Sequence, residues 1–415
     1  MTPSIDHPQR RSLSDLMHAR ALPIFKAPVT VRSWLYLVPD EDRAAELAWV
    51  DSLDGDHGAE RWTLHKVGPD GGAIWERHGE FSTWLRFAPL DGRPRDLGFC
   101  RLKTADFPWL AGAPGSVFRS VEIVVRPLAP KPQQFDGEID LASAVCCDVF
   151  NGKARIWSDF RLHEGRAGRI YVQDKGLQND ELPRLLQILI EIGQYRKLAL
   201  LGFPEARGLL PWLKDAEARL AALTGDMAKP SASQEALLER LMALAAEVEQ
   251  RVNAVRFRQG ATEAYYRLTE DRLLSLRESR VDGFSTMQEF IERRLQPAMR
   301  TCEAAARRLD DLSARIGRVS DLLRARISIS LEMQNQDLLR SMNLRARLQV
   351  KLQGLVEGLS VFGVSYYIFS LAKYLLDAFL PPARAHGLYA PVILVIVVVA
   401  WLFIHSRKKA IEGQG

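Results

Sequence analysis

Hydrophobic patterning divides the chain into two halves with different periodicities. Between roughly residues 28 and 175, short runs rich in β-branched and aromatic residues alternate with Gly, Pro and Asp, a pattern that predicts strands joined by turns. The predicted strands are Val29–Val38, Arg61–Val67, Glu80–Phe87, Ser116–Val125, Ser143–Phe150, Lys153–Leu162 and Gly168–Asp174. A helix over Glu41–Leu53 interrupts them, and Asn151-Gly152 predicts a β-hairpin. We therefore expect an α+β domain with an antiparallel or mixed sheet.

Beyond residue 180 the apolar positions recur at helical spacing. The predicted helices are Glu181–Leu201, about 231–280, and a last helix that starts near 285 and continues past a kink at Pro297. Gly202 is expected to end the first helix. Ser231 or Ser233 is expected to cap the second, and Ser285 with Gln288 resembles a capping box for the third.

An apolar seam with spacings of three and four follows within the last helix, as in a short coiled coil. Its residues are Leu309, Leu312, Ile316, Val319 and Leu323. The seam can pack on the 231–280 helix of the same chain, or it can surround the axis of an oligomer. The second alternative is slightly favoured.

Two apolar segments close the sequence. Leu388–His405 contains no Lys, Arg, Asp or Glu, and as a helix it covers about 27 Å, enough for the hydrocarbon core of a bilayer. Gly358–Ala372 is also free of charge, and Pro381-Pro382 separates the two segments. We expect a hairpin of two transmembrane helices, at about 356–379 and 388–405.

Charge and cysteine content refine this picture. The formal net charge is +5, and residues 315–354 alone hold eight basic and three acidic side chains. Basic residues directly before an apolar helix favour anionic lipid headgroups over nucleic acid. With basic residues flanking both spans, the positive-inside bias predicts that both termini are cytoplasmic. Four cysteines without regular spacing fit a reducing compartment, and no signal-type apolar run is expected to export the N-terminal part.

These patterns predict four regions. They are a cytoplasmic α+β domain (1–230), a long helical stalk or hairpin (231–354), the two transmembrane helices (355–406) and a basic cytoplasmic tail (407–415). The fold class is thus α+β followed by long, coiled-coil-like helices and a membrane hairpin.

Candidate chemistry is confined to two dense polar clusters. No His pair has metal-ligand spacing, and no phosphate-binding loop or nucleophile elbow occurs, so no catalytic residue, metal or cofactor is identified. The candidate ligand-binding residues are Glu76, Arg77, His78, Glu80, Asp159, Arg161, His163 and Arg169. On strands, alternate residues would share a face, so an acid–His–acid row could bind a cation or relay protons. The alternative is an exposed strand face with ordinary ion pairs, and a joint site of both clusters is left open.

The first span carries its own polar candidates, Glu357, Ser365, Tyr366 and Tyr367. Ionisable groups within a membrane are costly and often functional, whereas an interfacial position for Glu357 would be structural. Gly354, Gly358 and Gly363 are small enough for close helix contact.

Several long motifs, in a fixed order, resemble a bacterial family of uncharacterised proteins, a domain of unknown function with an expected membrane anchor. They are Leu13–Arg20, WERHGEF (75–81), WSDFRLHEGRAGRI (157–170), RLLQILIEIGQYRKLALLGFP (184–204), ERRLQPA (292–298), QNQDLLRSM (334–342) and VEGLSVFGVSYY (356–367). The chain departs from the family's Asn-Glu-x-His-Ala-Arg-Pro pattern at Asp15, Leu16 and Ala21. The resemblance implies a membrane location and brings no activity.

The predicted architecture also resembles CorA-type two-span channels, although their Gly-Met-Asn motif is replaced by Leu376-Asp377-Ala378-Phe379. Our leading hypothesis is a non-enzymatic, oligomeric membrane protein whose cytoplasmic domain senses or docks a ligand, with an ion pathway as its most specific form. The expected partners are the lipid bilayer and further copies of the chain, and an ion or protein partner is left open. The alternatives are a membrane-tethered enzyme or ligand-binding module that uses the two clusters, and a membrane scaffold for a protein.

Overall fold

A computed structural model of the chain describes residues 7, 9–10, 13–14, 22–24, 26–57, 61–65, 71–90, 99, 110, 112–129, 135, 137–163, 166–178, 180–229, 233–379 and 381–412. Asp15, Leu16, Ala21 and Cys100 lie outside these residues, and so do the last residues of the basic tail. Contacts divide the chain into two compact units, Met1–Val319 and Ser320–Gly415, and each is treated by itself.

The first unit is built on a mixed sheet that contains ten strands in the described part of the chain. They are β1 (Val29–Leu37), β2 (Asp56–His57), β3 (Arg61–His65), β4 (Gly72–Arg77), β5 (Phe81–Pro89), β6 (Ser116–Pro127), β7 (Val145–Val149), β8 (Ala154–Ser158), β9 (Gly168–Asp174) and β10 (Ser279–Arg280). Their order is β10-β7-β8-β9-β6-β1-β5-β4-β3-β2, and among these pairs β6 and β9 alone run parallel. The expected α+β class and mixed sheet are confirmed.

The helices follow the strands. They are α1 (Arg43–Asp51), α2 (Glu181–Ala199), α3 (Gly202–Met227), α4 (Gln234–Ser275), α5 (Met287–Phe379) and α6 (Pro382–Glu412), with a short 3-10 turn at Asp40–Asp42. Ser233 caps α4 by accepting a hydrogen bond from the N–H of Ala236 at 3.3 Å, as predicted.

One helix boundary and one helix cap add detail to the sequence-based expectation. α2 ends at Ala199, close to the break expected at Gly202, and Gly202 itself begins α3. A Cβ at Gly202 would lie 2.2 Å from the Thr262 hydroxyl of α4. The capping box of α5 lies one residue later than expected. The N–H of Glu289 donates to the Thr286 hydroxyl, and the N–H of Thr286 donates to the Glu289 carboxylate, both at 3.1 Å.

Each face of the sheet has its own core. Leu35 of β1 packs with Phe81 and with Leu198 of α2 on one face. On the other face, Trp34, Trp75 and Trp84 pack with Val50 of α1, and a separate cluster surrounds Tyr171 of β9. The strand period of two explains this division, since neighbouring residues of β1 alternate between the helix-covered face and the tryptophan-rich face.

The second unit is helical. Of the described helices, α5 contains a stretch long and apolar enough to cross a membrane, judged by length and composition, and Gly387–Leu402 of α6 is a shorter apolar stretch. The ring of Tyr389 in α6 meets Phe369 at 6.4 Å, and its hydroxyl donates to Asp377. The end of α5 and the start of α6 therefore lie side by side.

Candidate functional site

The first polar cluster lies at a hairpin turn. β4 ends at Arg77 and β5 begins at Phe81, and the N–H of His78 donates to the carbonyl of Phe81 at 2.9 Å. The expectation that Glu76, His78 and Glu80 form one row on a strand is therefore wrong. Strand alternation requires extended backbone, and the chain reverses direction within this segment.

Charges in and around this turn are paired. The Glu80 carboxylate accepts hydrogen bonds from both terminal guanidinium nitrogens of Arg258 in α4, at 2.6 and 3.2 Å. This bidentate contact raises the pKa of Arg258. Burial and the charge of Glu80 raise the pKa of Tyr265. Arg43 donates to the carbonyl of Gly79 at 2.8 Å. The turn is thus fixed to α1 and α4 by compensated polar contacts.

Glu76 and His78 face a small cavity of about 40 Å³ beneath α2. The amide of Gln194 in α2 donates to the Thr83 hydroxyl at 3.0 Å inside it, and the His78 ring stacks on Phe81 at 4.3 Å. A space of this size admits water but no organic ligand. Arg77 is half-buried at the end of β4.

The second cluster forms a loop, since β8 ends at Ser158 and Asp159 begins the connection to β9. The expected strand alternation of Asp159, Arg161 and His163 is wrong, because the carboxylate of Asp159 organises a turn. It accepts the N–H groups of Arg161 and Asp140, both at 3.1 Å, and contacts His163 Nε2 at 2.9 Å. Burial opposes ionisation of this group, but the hydrogen bonds and His163 lower the pKa of Asp159 below its usual range.

This loop forms one wall of a basic cavity between the sheet and α2, with a volume of about 300 Å³. Other walls come from β6, from α2 and from Met287, the first residue of α5. The cavity is lined by the cationic side chains of Arg119, Arg161, Arg166, Arg169, Arg196 and Lys197, and by no Asp or Glu among the described residues. The two predicted clusters therefore line separate cavities that share no residue.

Some of these cations have partners outside the cavity. Arg161 pairs with Asp140 at 2.8 Å, and Arg169 donates to the carbonyl of Glu138 at 3.1 Å and lies over the ring of Phe99. Both residues were candidates from the sequence, and both reach this cavity. Their main role in the described structure is to hold the loop to the segment around residue 139.

The position of the Arg119 guanidinium, by contrast, is set by its contacts with α2. Arg119 lies on β6 and its Nη1 donates to the carbonyl of Ile190 at a long 3.4 Å. A Cβ at Gly193 would lie only 1.9 Å from Arg119 Nη2, so the glycine makes room for the guanidinium. Glycine inside a helix costs about 0.5–1 kcal/mol relative to alanine, which makes this opening a specific feature of α2.

Arg196 and Lys197 follow on the same helix and are held by aromatic rings. The Arg196 guanidinium lies 4.6 Å from the centre of the Phe160 ring, and Lys197 Nζ lies 5.9 Å from that of Phe118. Such contacts orient a cation without cancelling its charge. Phe160 is stacked in turn on Phe290 of α5, at 4.5 Å.

The electrostatics of the cavity are one-sided. Among the residues that the structure describes, no carboxylate forms an ion pair with Arg119, Arg196 or Lys197. Burial and the neighbouring Arg196 lower the pKa of Arg119 to about 9, and burial together with Arg294 lowers that of Arg196 to about 10. Burial, Arg196 and Arg119 lower the pKa of Lys197. These directions express the cost of keeping like charges together out of water, a cost that a bound anion removes.

Four of the cations that line the basic cavity were not predicted from the sequence, namely Arg119, Arg166, Arg196 and Lys197. Strand alternation could have indicated Arg119, because it lies on the same face of β6 as the buried Val121 and Ile123. Arg196 and Lys197 stand in the last turn of an apolar helix, where basic residues are ordinary. No group of three or more metal-binding side chains occurs in the part of the chain that the structure describes.

The candidates in the first apolar segment belong to the second unit. Tyr366 and Tyr367 are exposed, Glu357 is exposed and accepts from Gln353 at 3.5 Å, and Ser365 lines a groove with Val395 and Val399 of α6. Ser365 is therefore the one of the four that faces the neighbouring helix.

Comparison with known proteins gives a family and no activity. Residues 5–411 match the model of a family described as "Protein of unknown function (DUF3422)". No curated protein matches the sequence. The resemblance inferred from the sequence motifs, to a family of uncharacterised proteins over nearly the whole chain, is confirmed.

Proposed function

The chain belongs to the DUF3422 family, whose function is unknown, and from that premise we propose that its first unit binds a small organic anion in the basic cavity. The observation that carries this proposal is the group of Arg119, Arg196 and Lys197 around one cavity, without a carboxylate partner among the described residues. Half-buried cations that lie around one cavity repel one another until something neutralises them, so the missing negative charge is assigned to a ligand.

The cavity is large enough for this role. Its volume of about 300 Å³ stands at the lower end of the range for small-molecule sites. The cavity beside Glu76, at about 40 Å³, is more than seven times smaller and excludes organic ligands. Of the two clusters proposed from the sequence to bind a ligand, the one beside the basic cavity is therefore favoured over the one around Glu76.

A thermal-unfolding screen tests the proposal. The full-length protein in a non-ionic detergent and a buffer of weakly binding anions is heated with a panel of mono-, di- and tricarboxylates, sulfate and phosphate esters. A ligand at about 100 times its dissociation constant stabilises the folded state by about 2.7 kcal/mol, a clear increase in midpoint. Variant Arg196→Met should lose the response, whereas Arg184→Met, an exposed residue of the same helix paired with Asp180, should retain it. If no anion shifts the midpoint, the proposal is wrong.

We further propose that the second unit anchors this binding domain in a bacterial inner membrane through the apolar parts of α5 and α6, with both termini in the cytoplasm. The support is the apolar stretch within α5 and its shorter neighbour in α6, flanked by basic residues in the sequence. Membrane fractions washed with alkaline carbonate should retain the full chain and release a chain that ends at Gly354. Release of the full chain by the wash would reject the anchor.

An oligomeric ion pathway is a second candidate function. It is favoured by the continuity of α5, one helix from the basic cavity at Met287 to the apolar segment at Phe379. In this proposal the ligand-binding domain acts on a pathway lined by the first span, near Ser365. Native mass measurement in detergent tests it, since a strictly monomeric protein has no axis between copies.

A further inference from the structure

The charge of the basic cavity restricts the class of its ligand. Arg119, Arg196 and Lys197 each bring a positive charge, and Arg166 of the loop lines the same space. A monocarboxylate would neutralise one of these charges and leave at least two repelling each other. The ligand therefore needs two or more negative charges within a small volume.

The hydrogen-bonding capacity of Arg119 points in the same direction. A guanidinium has five N–H donors, and among the described residues Arg119 uses one of them, in the long bond to Ile190. The opening at Gly193 holds the group against α2 rather than in solvent. A planar donor group fixed in this way matches an anion with several oxygens, as in arginine–phosphate contacts.

The remaining cations come from α2, whereas Arg119 comes from β6. Arg196 is placed by Phe160 and Lys197 by Phe118, so both are oriented by rings that carry no negative charge. Cations that come from a strand and from a helix surround a compact polyanion better than they match a flat carboxylate. A phosphoryl group carries about −1.5 to −2 charges at pH 7 on three terminal oxygens, which fits this arrangement.

We infer that the ligand of the basic cavity is a phosphate monoester whose phosphoryl group binds among Arg119, Arg196 and Lys197. This inference rests on the proposed anion-binding function and specifies its ligand class. A volume of about 300 Å³ leaves room for a small organic group beside the phosphoryl group. A soluble ester and the headgroup of phosphatidic acid share this chemistry.

Calorimetric titration of the full-length protein in a non-ionic, phosphate-free detergent buffer tests the ligand class. The probes are inorganic phosphate, glycerol 3-phosphate, and tricarballylate as a carboxylate polyanion that carries at least as much negative charge. Glycerol 3-phosphate should bind more tightly than tricarballylate, and Arg119→Met and Arg196→Met should each weaken it about 10- to 100-fold, the range for hydrogen bonds to charged groups. Arg184→Met, matched in type and helix, should leave the affinity unchanged.

Gly193→Ala tests the geometry without changing any charge. Its Cβ would displace the Arg119 guanidinium, so glycerol 3-phosphate affinity should fall while the thermal midpoint without ligand is retained. Unchanged affinity in this variant, or equal loss in Arg184→Met, would overturn the assigned contacts.

The outcomes separate the two levels of the proposal. Binding of tricarballylate without binding of either phosphate probe would reject the phosphoryl assignment and leave the anion-binding function intact. Binding of no probe would reject both. Micelles doped with phosphatidic acid distinguish a lipid headgroup from a soluble ester. If the lipid displaces glycerol 3-phosphate, the ligand is a headgroup; if it does not, the ligand is a soluble ester.

Discussion

Two polar regions lie next to α2 and differ in charge balance. At the Glu76–Glu80 turn, the acid Glu80 meets the base Arg258 in a bidentate pair, and the enclosed space is about 40 Å³. In the basic cavity, Arg119 and Arg196 meet no acid among the described residues, and the space is about 300 Å³. A dense cluster of charged residues therefore does not by itself indicate a ligand site. Cations that have no acidic partner and line a cavity are better evidence for one.

Physical chemistry explains why the first region is structural. An ion pair with side chains about one-fifth exposed or less repays its desolvation only when geometry and hydrogen bonds are good, and Glu80 with Arg258 meets that condition. The basic cavity has the opposite energetics, because its cations repel one another until an anion arrives. The first region stabilises the fold without a ligand, and the second is expected to cost stability without one.

The largest predicted effect reverses sign between the two regions. Arg258→Met should lower the free energy of unfolding by about 3 kcal/mol, because it leaves Glu80 half-buried without its partner. Arg119→Met should leave the stability of the ligand-free protein unchanged or raise it, because it removes one of several repelling charges. Urea unfolding followed by tryptophan fluorescence measures both in the full-length protein.

The double variant Glu80→Gln/Arg258→Met serves as the control for the first arm. It should recover part of the lost stability, because no buried charge is then unpaired. An equal loss in Arg119→Met and Arg258→Met would mean that the basic cavity is internally compensated, and the comparison would no longer hold.

Much of the fold could be predicted from the sequence because its signals are local. β9 coincides with the predicted Gly168–Asp174, and Asn151-Gly152 does form the turn between β7 and β8, with positive φ at both residues. β4 and β5 illustrate the limit. Their turn at 78–80 has none of the usual turn dipeptides, and β4 was not among the predicted strands.

The candidate site could be predicted only in part, because it forms between elements far apart in the chain. Arg161 and Arg169 were found since they stand in a dense polar segment. Arg119 and Arg196 were not, since Arg119 stands between Phe118 and Ser120 in a strand and Arg196 stands in the last turn of a helix, where basic residues are ordinary. No local pattern shows that a strand of one part and a helix 77 residues later place them at the same cavity. The glycine at 193 becomes informative only when Arg119 is seen against it.

A middle-sized effect is expected at the border of the basic cavity, at Asp159. Asp159→Asn should lower the free energy of unfolding at pH 7 by about 1–2 kcal/mol, because the amide keeps one acceptor for three donors. The pKa of Asp159 is lowered in the folded protein, so its contribution is present above about pH 4 and disappears as pH falls through the folded value. The wild type should therefore lose its advantage over the variant in acid.

The same variant sharpens the comparison between the regions. Asp159 is committed to backbone N–H groups and His163, so it does not neutralise the cavity, and Asp159→Asn should keep the affinity for glycerol 3-phosphate within a factor of about three. A gain of tenfold or more would show that its charge opposes the ligand and that the cavity is less one-sided than described.

The smallest effect is a slope of stability with alkaline pH. The pKa of Lys197 is lowered in the folded protein, so the unfolded chain holds this proton more strongly as pH rises past the folded value. Stability should accordingly increase between pH 8 and 10, by less than the limit of about 1.4 kcal/mol per pH unit for one proton, because the side chain is half-buried and partly screened. Saturating glycerol 3-phosphate should remove the slope, since an anion restores the charged forms. Thermal midpoints of wild type and Lys197→Met across this range measure it. A flat profile without ligand, or the same slope in Lys197→Met, would place the origin of the pH dependence outside the basic cavity.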